Sequence, residues 1–440
     1  MSTGYWAPYG WLPGGVAEQV RLVADAGRWV QVEAGVPPAA PDVRLPGLVL
    51  PGFANTHSHA FHRALRGRTH DGGGTFWTWR ETMYALARRL QPAAYHRLAR
   101  AVYAEMALAG ITAVGEFHYL HHQPDGSPYP EPNAFGHALV AAAGEAGIRI
   151  TLLDTCYLSG GLGPAGHLGL DEVQRRFSDG SAAGWQRRNA LLTPVESDAV
   201  RIGAAIHSVR AVPADQLAGV VTAAAGWPLH AHVSEQPAEN QATQAYYGRT
   251  PTELLAEHGF GGPLHTAVHA THLSEADIAW YGRAGTNVSF CPTTERDLAD
   301  GIGPAPELAA AGARLTLGTD QNASVDLLEE ARALELDARL ASLQRGRFSP
   351  AELVEALTGH ASLGWPDAGR LAPGQRADLV ALRTDTVRTA GALPGQLVLV
   401  AGAPDVDTVL VDGRPVVSGG RHVLGDVAGL LAEAIAAAWS

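Results

Sequence analysis

The stretch LVLPGFANTHSH, residues 48–59, carries the pattern that decides the fold: an apolar run of strand type that ends in two histidines. Seven further stretches have the same form, and segments of helical periodicity such as 93–110 and 327–343 lie between them. Alternating strands and helices predict a parallel sheet, and eight repeats predict a closed (β/α)8 barrel, an α/β fold. The seven stretches are ITAVGEFHY (111–119), IRITLLDTCY (148–157), VRIGAAIHSVR (200–210), PLHAHVSEQ (228–236), HTAVHATHL (265–273), NVSFCPT (287–293) and RLTLGTD (314–320).

Both ends of the chain have a different pattern. Residues 1–48 and 368–440 contain short alternating segments broken by Gly and Pro, including an Asp-Gly pair at 412–413 that is typical of a hairpin turn. Residues 427–440 have the pattern of a helix. We therefore expect the two ends to form one small β-sandwich domain beside a barrel that spans residues 49–367.

The composition excludes several chemistries. The chain has 440 residues, and all 32 of its basic residues are arginine, whereas histidine is abundant at 19. Without lysine there is no Schiff-base lysine, no pyridoxal-phosphate lysine, no P-loop lysine and no carbamylated lysine to bridge two metal ions. The absence of lysine therefore favours one metal ion over two in any metal site of this chain.

The net charge, the cysteines and the N-terminal residues indicate which partners and which cellular location to expect. A formal net charge of −12 argues against nucleic acid and anionic membranes as partners. The two cysteines, Cys156 and Cys291, form no metal-type or disulfide framework, which suits a reducing cytoplasm. Residues 1–15 lack the basic residues and the apolar stretch of a signal peptide, and no run approaches the roughly 20 apolar residues of a membrane span. We expect a cytoplasmic protein that acts on a small molecule.

Histidines mark the ends of several predicted strands. His57 and His59 alternate, so on a strand both side chains point to the same side, as a pair of metal ligands would. The alternative is two surface histidines in a loop. His230 and His232 repeat the spacing, and Glu235 follows His232 by three residues, which places a ligand and a proton-transferring carboxylate on one segment. We interpret His230 as a packed barrel residue.

Two more strand ends complete the candidate site. His269 lies where the sixth strand should end, and Asp320 follows the eighth strand. An isolated Asp at such a position is usually a helix N-cap, but the histidines at preceding strand ends favour a role at the mouth of the barrel. Three nitrogens and one oxygen suit Zn²⁺ or Fe²⁺ with one position left for water. This four-residue set is His57, His59, His232 and Asp320.

The pattern PGFANTHSH, HAHVSEQ, VHATH and GTD resembles the amidohydrolase superfamily over essentially the whole chain, and its one-metal aminohydrolase branch in particular. Six further stretches resemble the formimidoylglutamate deiminases of histidine degradation within that branch. They are HSHAFHRALRG (57–67), FWTWRETMY (76–84), GEFHYLHH (115–122), AIHSVRAVP (205–213), CPTTERDLADG (291–301) and EEARALELDARL (329–340).

The resemblance implies roles for individual residues. His57, His59, His232 and Asp320 would bind one divalent ion, most simply Zn²⁺, with Fe²⁺ as the alternative. Asp320 would also take a proton from water, Glu235 would protonate the leaving nitrogen, and His269 would stabilise the developing charge. The substrate would be held by residues from several strand ends, namely His62, Arg80, Tyr119, His207 and Arg210. The family also suggests a homodimer.

The implied substrate is a dicarboxylate with a formimidoyl group, and arginine is the residue suited to bidentate carboxylate binding. The alternatives to substrate binding are that Arg80 is a solvated surface charge and that Arg210 caps a strand end. Two positions depart from the family pattern: His62 stands where Gln is usual, and Gln321-Asn322 stand where Ser-His is usual. Both departures are expected near the substrate, so they concern its identity.

Two alternative functions remain open. The chain fits a one-metal deaminase of a nucleobase or another amidine, which would need no arginine pair, and a non-catalytic barrel used for binding. The aromatic residues Phe76, Trp77 and Trp79 are interpreted as packing, and the Gly-rich loop at 70–76 as a candidate lid.

Overall fold

The computed structural model describes residues 2–70 and 74–440. Residues 71–73, part of the loop interpreted as a lid, lie outside the described residues. The described strands are, in chain order, β1 (Thr3–Leu12), β2 (Gly15–Asp25), β3 (Arg28–Glu33), β4 (Val43–Arg44), β5 (Leu48–Pro51), β6 (Phe53–Ser58), β7 (Ile111–His118), β8 (Arg149–Cys156), β9 (Gly161–Gly163), β10 (Gly166–Leu168), β11 (Val200–Ile206), β12 (Leu229–Val233), β13 (His265–His269), β14 (Asn287–Phe290), β15 (Arg314–Leu317), β16 (Leu379–Leu382), β17 (Val406–Val411), β18 (Arg414–Ser418) and β19 (Arg421–His422).

The helices surround these strands, and a short 3₁₀ turn at Ala60–Leu65 follows β6. In the described part of the chain, no helix is long and apolar enough to cross a bilayer. The helices are α1 (Phe76–Arg89), α2 (Pro92–Leu108), α3 (Ala134–Ala146), α4 (Ala182–Asn189), α5 (Ala214–Ala223), α6 (Pro237–Tyr247), α7 (Pro251–Glu257), α8 (Glu275–Ala284), α9 (Pro292–Asp297), α10 (Ala305–Ala311), α11 (Leu327–Ser342), α12 (Pro350–Leu357) and α13 (Val427–Trp439).

Eight parallel strands form the barrel, in the order β6-β7-β8-β11-β12-β13-β14-β15. A parallel bridge between Ser58 and Asp320 joins the two ends of this sheet. Each strand lies within one of the eight predicted stretches, so the (β/α)8 prediction is confirmed. Strands β7 and β8 are buried on both faces, as expected where helices cover a parallel sheet.

A second sheet combines both ends of the chain. Its order is β3-β2-β1-β5-β16-β17-β18-β19, with β4 beside β1, and β5 pairs with β16 across the two terminal segments. The predicted Asp-Gly hairpin connects β17 and β18, with φ of +49° at Asp412 and +72° at Gly413. The composite β domain predicted from the termini is therefore present.

The two domains are joined by a buried ion pair network. Arg149, at the start of β8, is fully buried and contacts the carboxylates of Asp378 and Asp412, both in the C-terminal segment. A buried charge is tolerated only when it is paired, so this network fixes the β domain against the barrel.

Candidate metal and active site

Four predicted ligands meet at the carboxyl ends of the barrel strands. The Nε2 atoms of His57 and His59 lie 3.2 and 3.3 Å from Oδ1 of Asp320. The Nε2 atom of His232 lies 3.1 Å from that of His57. All four residues are buried. The strand alternation at 57–59 and the strand end at Asp320 thus bring together side chains from three distant segments.

Backbone carbonyl groups orient two of these imidazoles. The Nδ1 atoms of His59 and His232 lie 2.8 Å from the carbonyl oxygens of Phe117 and His207. A proton on each Nδ1 donates to the carbonyl and leaves Nε2 with a lone pair directed at the cluster. Burial lowers the pKa of His57 to about 3 and lowers those of His59 and His232 as well, so the rings are neutral. Neutral nitrogens converging on an ionised carboxylate fit a divalent metal ion.

His269 and Glu235 adjoin the cluster. Nε2 of His269 lies 3.8 Å from Oε1 of Glu235 and 3.9 Å from Oδ2 of Asp320, while its Nδ1 lies 3.3 Å from Oε1 of Glu295. Burial alone would lower the pKa of His269, but Glu235, Glu295 and Asp320 raise it to about 10. Burial raises the pKa of Glu235, with His269 and Arg210 opposing the shift. These groups are arranged to exchange protons beside the cluster.

The backbone is strained where these side chains emerge. His269 and Asp320 have φ of +68° and +41°, a region that non-glycine residues rarely adopt. Such strain is found at functional sites, where the surrounding structure enforces it. Gly318, two residues before Asp320, permits the close approach of β15 and β6, because a Cβ there would lie 2.7 Å from Cβ and O of His57.

A cavity opens above the cluster. His62 lies in its wall, with Nε2 2.9 Å from the Tyr119 hydroxyl, and burial keeps the pKa of His62 well below its usual value. The predicted substrate residues His62, Arg80, Tyr119, His207 and Arg210 all line this cavity, together with His59, His232, Glu235, His269 and Asp320.

The two predicted arginines differ in their surroundings. Arg210 is partly buried, with Nη2 3.4 Å from Oε2 of Glu235 and Nε 3.6 Å from Oε2 of Glu239. The guanidinium of Arg80 stacks 4.5 Å above the ring of Trp77 and is not ion-paired to any described residue. The described carboxylates therefore leave Arg80 more available to an anionic ligand than Arg210.

Two interpretations from the sequence require correction. Gln321 and Asn322 do not line the cavity: the Gln321 amide donates to Asp297 at 2.7 Å, and the Asn322 amide donates to the carbonyl of His59 at 3.1 Å. The prediction that the aromatic residues pack is confirmed for Phe76 and Trp79, which lie in the hydrophobic core and also line the cavity. It is wrong for Trp77, which is exposed and stacks against Arg80.

Several residues that contact the site were not predicted from the sequence. Tyr157 lines the cavity directly after β8, where the rule that placed the other residues at strand ends would have found it. Glu239 and Glu295 contact Arg210 and His269, but both lie on helices, and nothing in the local sequence indicates those contacts. His230 is the packed residue expected, with its Nε2 3.4 Å from the carbonyl of Ser362.

A second group of possible ligands lies on the same side of the barrel. His118, His121 and Asp154 are buried, with ligand atoms within 4.8 Å of one another. Arg188 already occupies this site, because its Nη1 donates to Oδ1 of Asp154 at 2.8 Å. A guanidinium at this distance disfavours a second cation, so we assign the group to a structural ion-pair network.

Residues 48–416 match the model of the amidohydrolase family, and the chain belongs to that family. It is 40% identical over 398 residues to formimidoylglutamate deiminase of Pseudomonas aeruginosa, covering 86% of each chain. It is 31% identical over 445 residues to 8-oxoguanine deaminase of the same species, covering 95% of this chain and 94% of the relative. The crystal structure of an amidohydrolase from Brucella melitensis superposes with a TM-score of 0.92 and 32% identity, over 100% of both chains. The chain is thus a hydrolase of carbon–nitrogen bonds other than peptide bonds, with a metal site.

Proposed function

We propose that the protein hydrolyses N-formimidoyl-L-glutamate to N-formyl-L-glutamate and ammonia. One observation carries the proposal: the cavity that contains the histidine–aspartate cluster is also lined by two arginines, Arg80 and Arg210. Two cations suit the two carboxylates of this substrate. The 40% identity to a formimidoylglutamate deiminase supports the same substrate.

His57, His59, His232 and Asp320 would hold the metal ion. Imidazole nitrogens with one carboxylate oxygen suit Zn²⁺ best, and the same set tolerates Fe²⁺. When bound, the ion would lower the pKa of a water molecule and so supply hydroxide near neutral pH.

The protein's own groups would then move the protons. Asp320 accepts a proton from the attacking water, whose oxygen adds to the formimidoyl carbon. Glu235 delivers a proton to the imine nitrogen, and His269 donates a hydrogen bond to the attacking oxygen. The bond from carbon to the terminal nitrogen breaks as the proton held by Asp320 passes to that nitrogen, and ammonia leaves. The hydroxyl proton of the intermediate returns to Glu235. The N-formyl group keeps the oxygen from water.

The remaining cavity residues would position the substrate. Arg80 and Arg210 bind the carboxylates, while Tyr119, His207 and His62 line the space between the arginines and the cluster. Because Arg210 already faces Glu235 and Glu239, it also aligns Glu235 for proton transfer.

The identity of the products tests the reaction. Incubation of zinc-loaded enzyme with N-formimidoyl-L-glutamate should release one ammonia per N-formylglutamate, as measured by a coupled ammonia assay and by NMR. Release of glutamate and formamide would show that the other carbon–nitrogen bond breaks, and would overturn the proposal.

A second candidate is deamination of a nucleobase or another cyclic amidine. Two observations favour it: the 31% identity to 8-oxoguanine deaminase, and a cavity wall rich in aromatic rings, namely Phe76, Trp79, Tyr84, Tyr119, Tyr157 and Phe177. A neutral heterocycle needs no cation pair, so replacing Arg80 by alanine would affect its turnover little. Arg210→Ala does not discriminate, because Arg210 also contacts Glu235. A large rise in KM in Arg80→Ala favours the dicarboxylate.

The proposal includes a cytoplasmic homodimer with the catalytic barrel at 49–367 and the β domain at 1–48 and 368–440. Leu336 and Leu340 on α11, and Leu343 just beyond it, are exposed at spacings of four and three residues. This apolar stripe supports self-association. Light scattering of the purified protein would measure the mass, and a monomer would refute the dimer.

A further inference from the structure

The turn that connects the metal site to His62 has no cap of its own. The 3₁₀ turn Ala60–Leu65 begins directly after His59, and the His59 side chain, directed at the cluster, makes no capping hydrogen bond. The first backbone N–H of the turn, on Ala60, instead donates at 2.7 Å to Oε1 of Glu116. Glu116 belongs to β7, the barrel strand next to β6. A side chain of β7 therefore caps the turn that follows β6.

Glu116 is completely buried and held from a third element. The hydroxyl of Tyr95, on α2, donates to the same Oε1 at 3.3 Å, and the hydroxyl groups of Ser58 and Tyr103 also interact with the buried carboxyl group. Burial raises the pKa of Glu116 to about 8, so the group is a neutral acid at pH 7. A neutral carboxylic acid has the shape and polarity of an amide. Glu116→Gln is therefore expected to keep the hydrogen bond to Ala60.

The contact at Ala60 constrains His59 from one side, and the contact from the His59 Nδ1 atom to the carbonyl of Phe117 constrains it from the other. Phe117 directly follows Glu116 on β7. Two consecutive residues of β7 therefore fix the backbone and the ring of His59. Hydrogen-bond partners behind metal ligands are typically worth 10- to 100-fold in metal affinity.

We infer that Glu116 is a positioning residue for the metal site: its carboxyl group fixes the His59–Ala60 backbone and thereby aims Nε2 of His59 at the metal. The inference rests on the metal ligands of the proposed function but not on its substrate. Glu116 touches neither substrate nor metal, so its effect is expected in metal affinity first and in kcat only as a consequence.

Metal affinity of the full-length protein tests the inference. The Kd for Zn²⁺ would be measured by competition with a chromogenic chelator at pH 7. Glu116→Met, which keeps the volume but removes the acceptor, should raise this Kd roughly 10- to 100-fold. Glu116→Gln, which keeps an acceptor oxygen for the Ala60 N–H, should restore the wild-type Kd to within about threefold.

A buried glutamate far from the site is the matched control. Glu335 on α11 accepts hydrogen bonds from the backbone N–H groups of Gly346 and Phe348, at 3.0 and 2.7 Å. Glu335→Met also removes a buried backbone acceptor, so it should lower the Tm but leave the Kd for Zn²⁺ unchanged. If both methionine variants raise the Kd equally, the role of Glu116 is merely structural and the inference fails.

A shorter side chain covers the case in which Glu116→Met does not fold. Glu116→Asp keeps the carboxyl group but withdraws it from the Ala60 N–H, and it should raise the Kd at least threefold. An unchanged Kd in Glu116→Asp would overturn the inference. Failure of the wild-type protein to bind Zn²⁺ would instead refute the metal ligands of the proposed function, independently of Glu116.

Discussion

The Nε2 atoms of His57 and His232 lie 3.1 Å apart, although both rings are buried and neutral. With the proton of His232 on Nδ1, its Nε2 directs a lone pair into the cluster. The Nδ1 atom of His57 is buried without a hydrogen-bond partner among the described residues, while its Nε2 faces both His232 and Asp320. Two imidazole nitrogens converging on one carboxylate are the donor set of a metal site.

Removal of the metal should destabilise the protein as well as inactivate it. A ligand that binds only the folded state, present at 100 times its Kd, contributes about 2.7 kcal/mol of stability. Dialysis against a chelator should lower the Tm and the activity together, and Zn²⁺ should restore both. Equal Tm values for the metal-free and zinc-loaded protein would contradict the site.

Two histidines on β12 provide a matched pair. His232→Gln should reduce bound zinc to well below one equivalent per chain, as measured by atomic absorption. His230→Gln alters the same strand, but His230 faces Ser362 rather than the cluster and should leave the zinc content at one equivalent. Similar zinc loss in both variants would point to strand disruption rather than to ligand loss.

Glu235→Gln should abolish turnover and leave metal binding intact. The amide cannot deliver a proton to the leaving nitrogen, and general acid–base groups typically contribute 10²- to 10⁴-fold to the rate. We expect kcat to fall by at least about 10²-fold, with one equivalent of zinc retained. Near-normal kcat in this variant would remove Glu235 from the mechanism.

Arg80 should determine the affinity for the dicarboxylate. It has no carboxylate partner among the described residues, so Arg80→Ala should cost little stability and raise KM roughly tenfold or more for a doubly charged substrate. Arg88, an exposed residue on the same helix, is the control, and Arg88→Ala should leave KM unchanged. The assignment fails if the two variants behave alike.

The ligands at the strand ends could be predicted, because a barrel brings its strand ends together at one face. The hydrogen bonds and backbone conformations around these ligands could not be predicted. Asp320 and Asn322 have φ of +41° and +57°, and this local backbone directs Gln321 and Asn322 away from the cavity, contrary to the expectation from the sequence. Glu116 lies inside a predicted strand, and its contact with Ala60 depends on the register of β6 and β7, which no local pattern specifies.

Gly318 tests the packing that closes the barrel. A Cβ at this position would meet His57 at 2.7 Å, so Gly318→Ala should lower the free energy of unfolding by about 1–3 kcal/mol and weaken zinc binding. Gly144, near the end of α3, has open space around it, and Gly144→Ala should raise stability by up to about 1 kcal/mol. Urea unfolding of both variants measures the contrast, and destabilisation by both would refute the packing argument.

Glu116 should make stability fall with rising pH. Its pKa is about 8 in the folded protein and near 4.5 in the unfolded chain, so the folded state binds more protons between these values. The free energy of unfolding therefore decreases from pH 4.5 to pH 8 and then levels off. Because Glu116→Gln lacks this proton, its stability relative to wild type should increase from pH 6 to pH 8 in urea unfolding. A pH-independent difference would contradict the buried neutral acid.

The central claim is that the arginine-lined cavity selects a formimidoyl dicarboxylate over a nucleobase. The most direct test is kcat/KM of one zinc-loaded preparation for N-formimidoyl-L-glutamate and for 8-oxoguanine, measured by ammonia release. The account predicts a clear preference for N-formimidoyl-L-glutamate that Arg80→Ala reduces. Efficient turnover of 8-oxoguanine, with little or none of N-formimidoyl-L-glutamate, would contradict it.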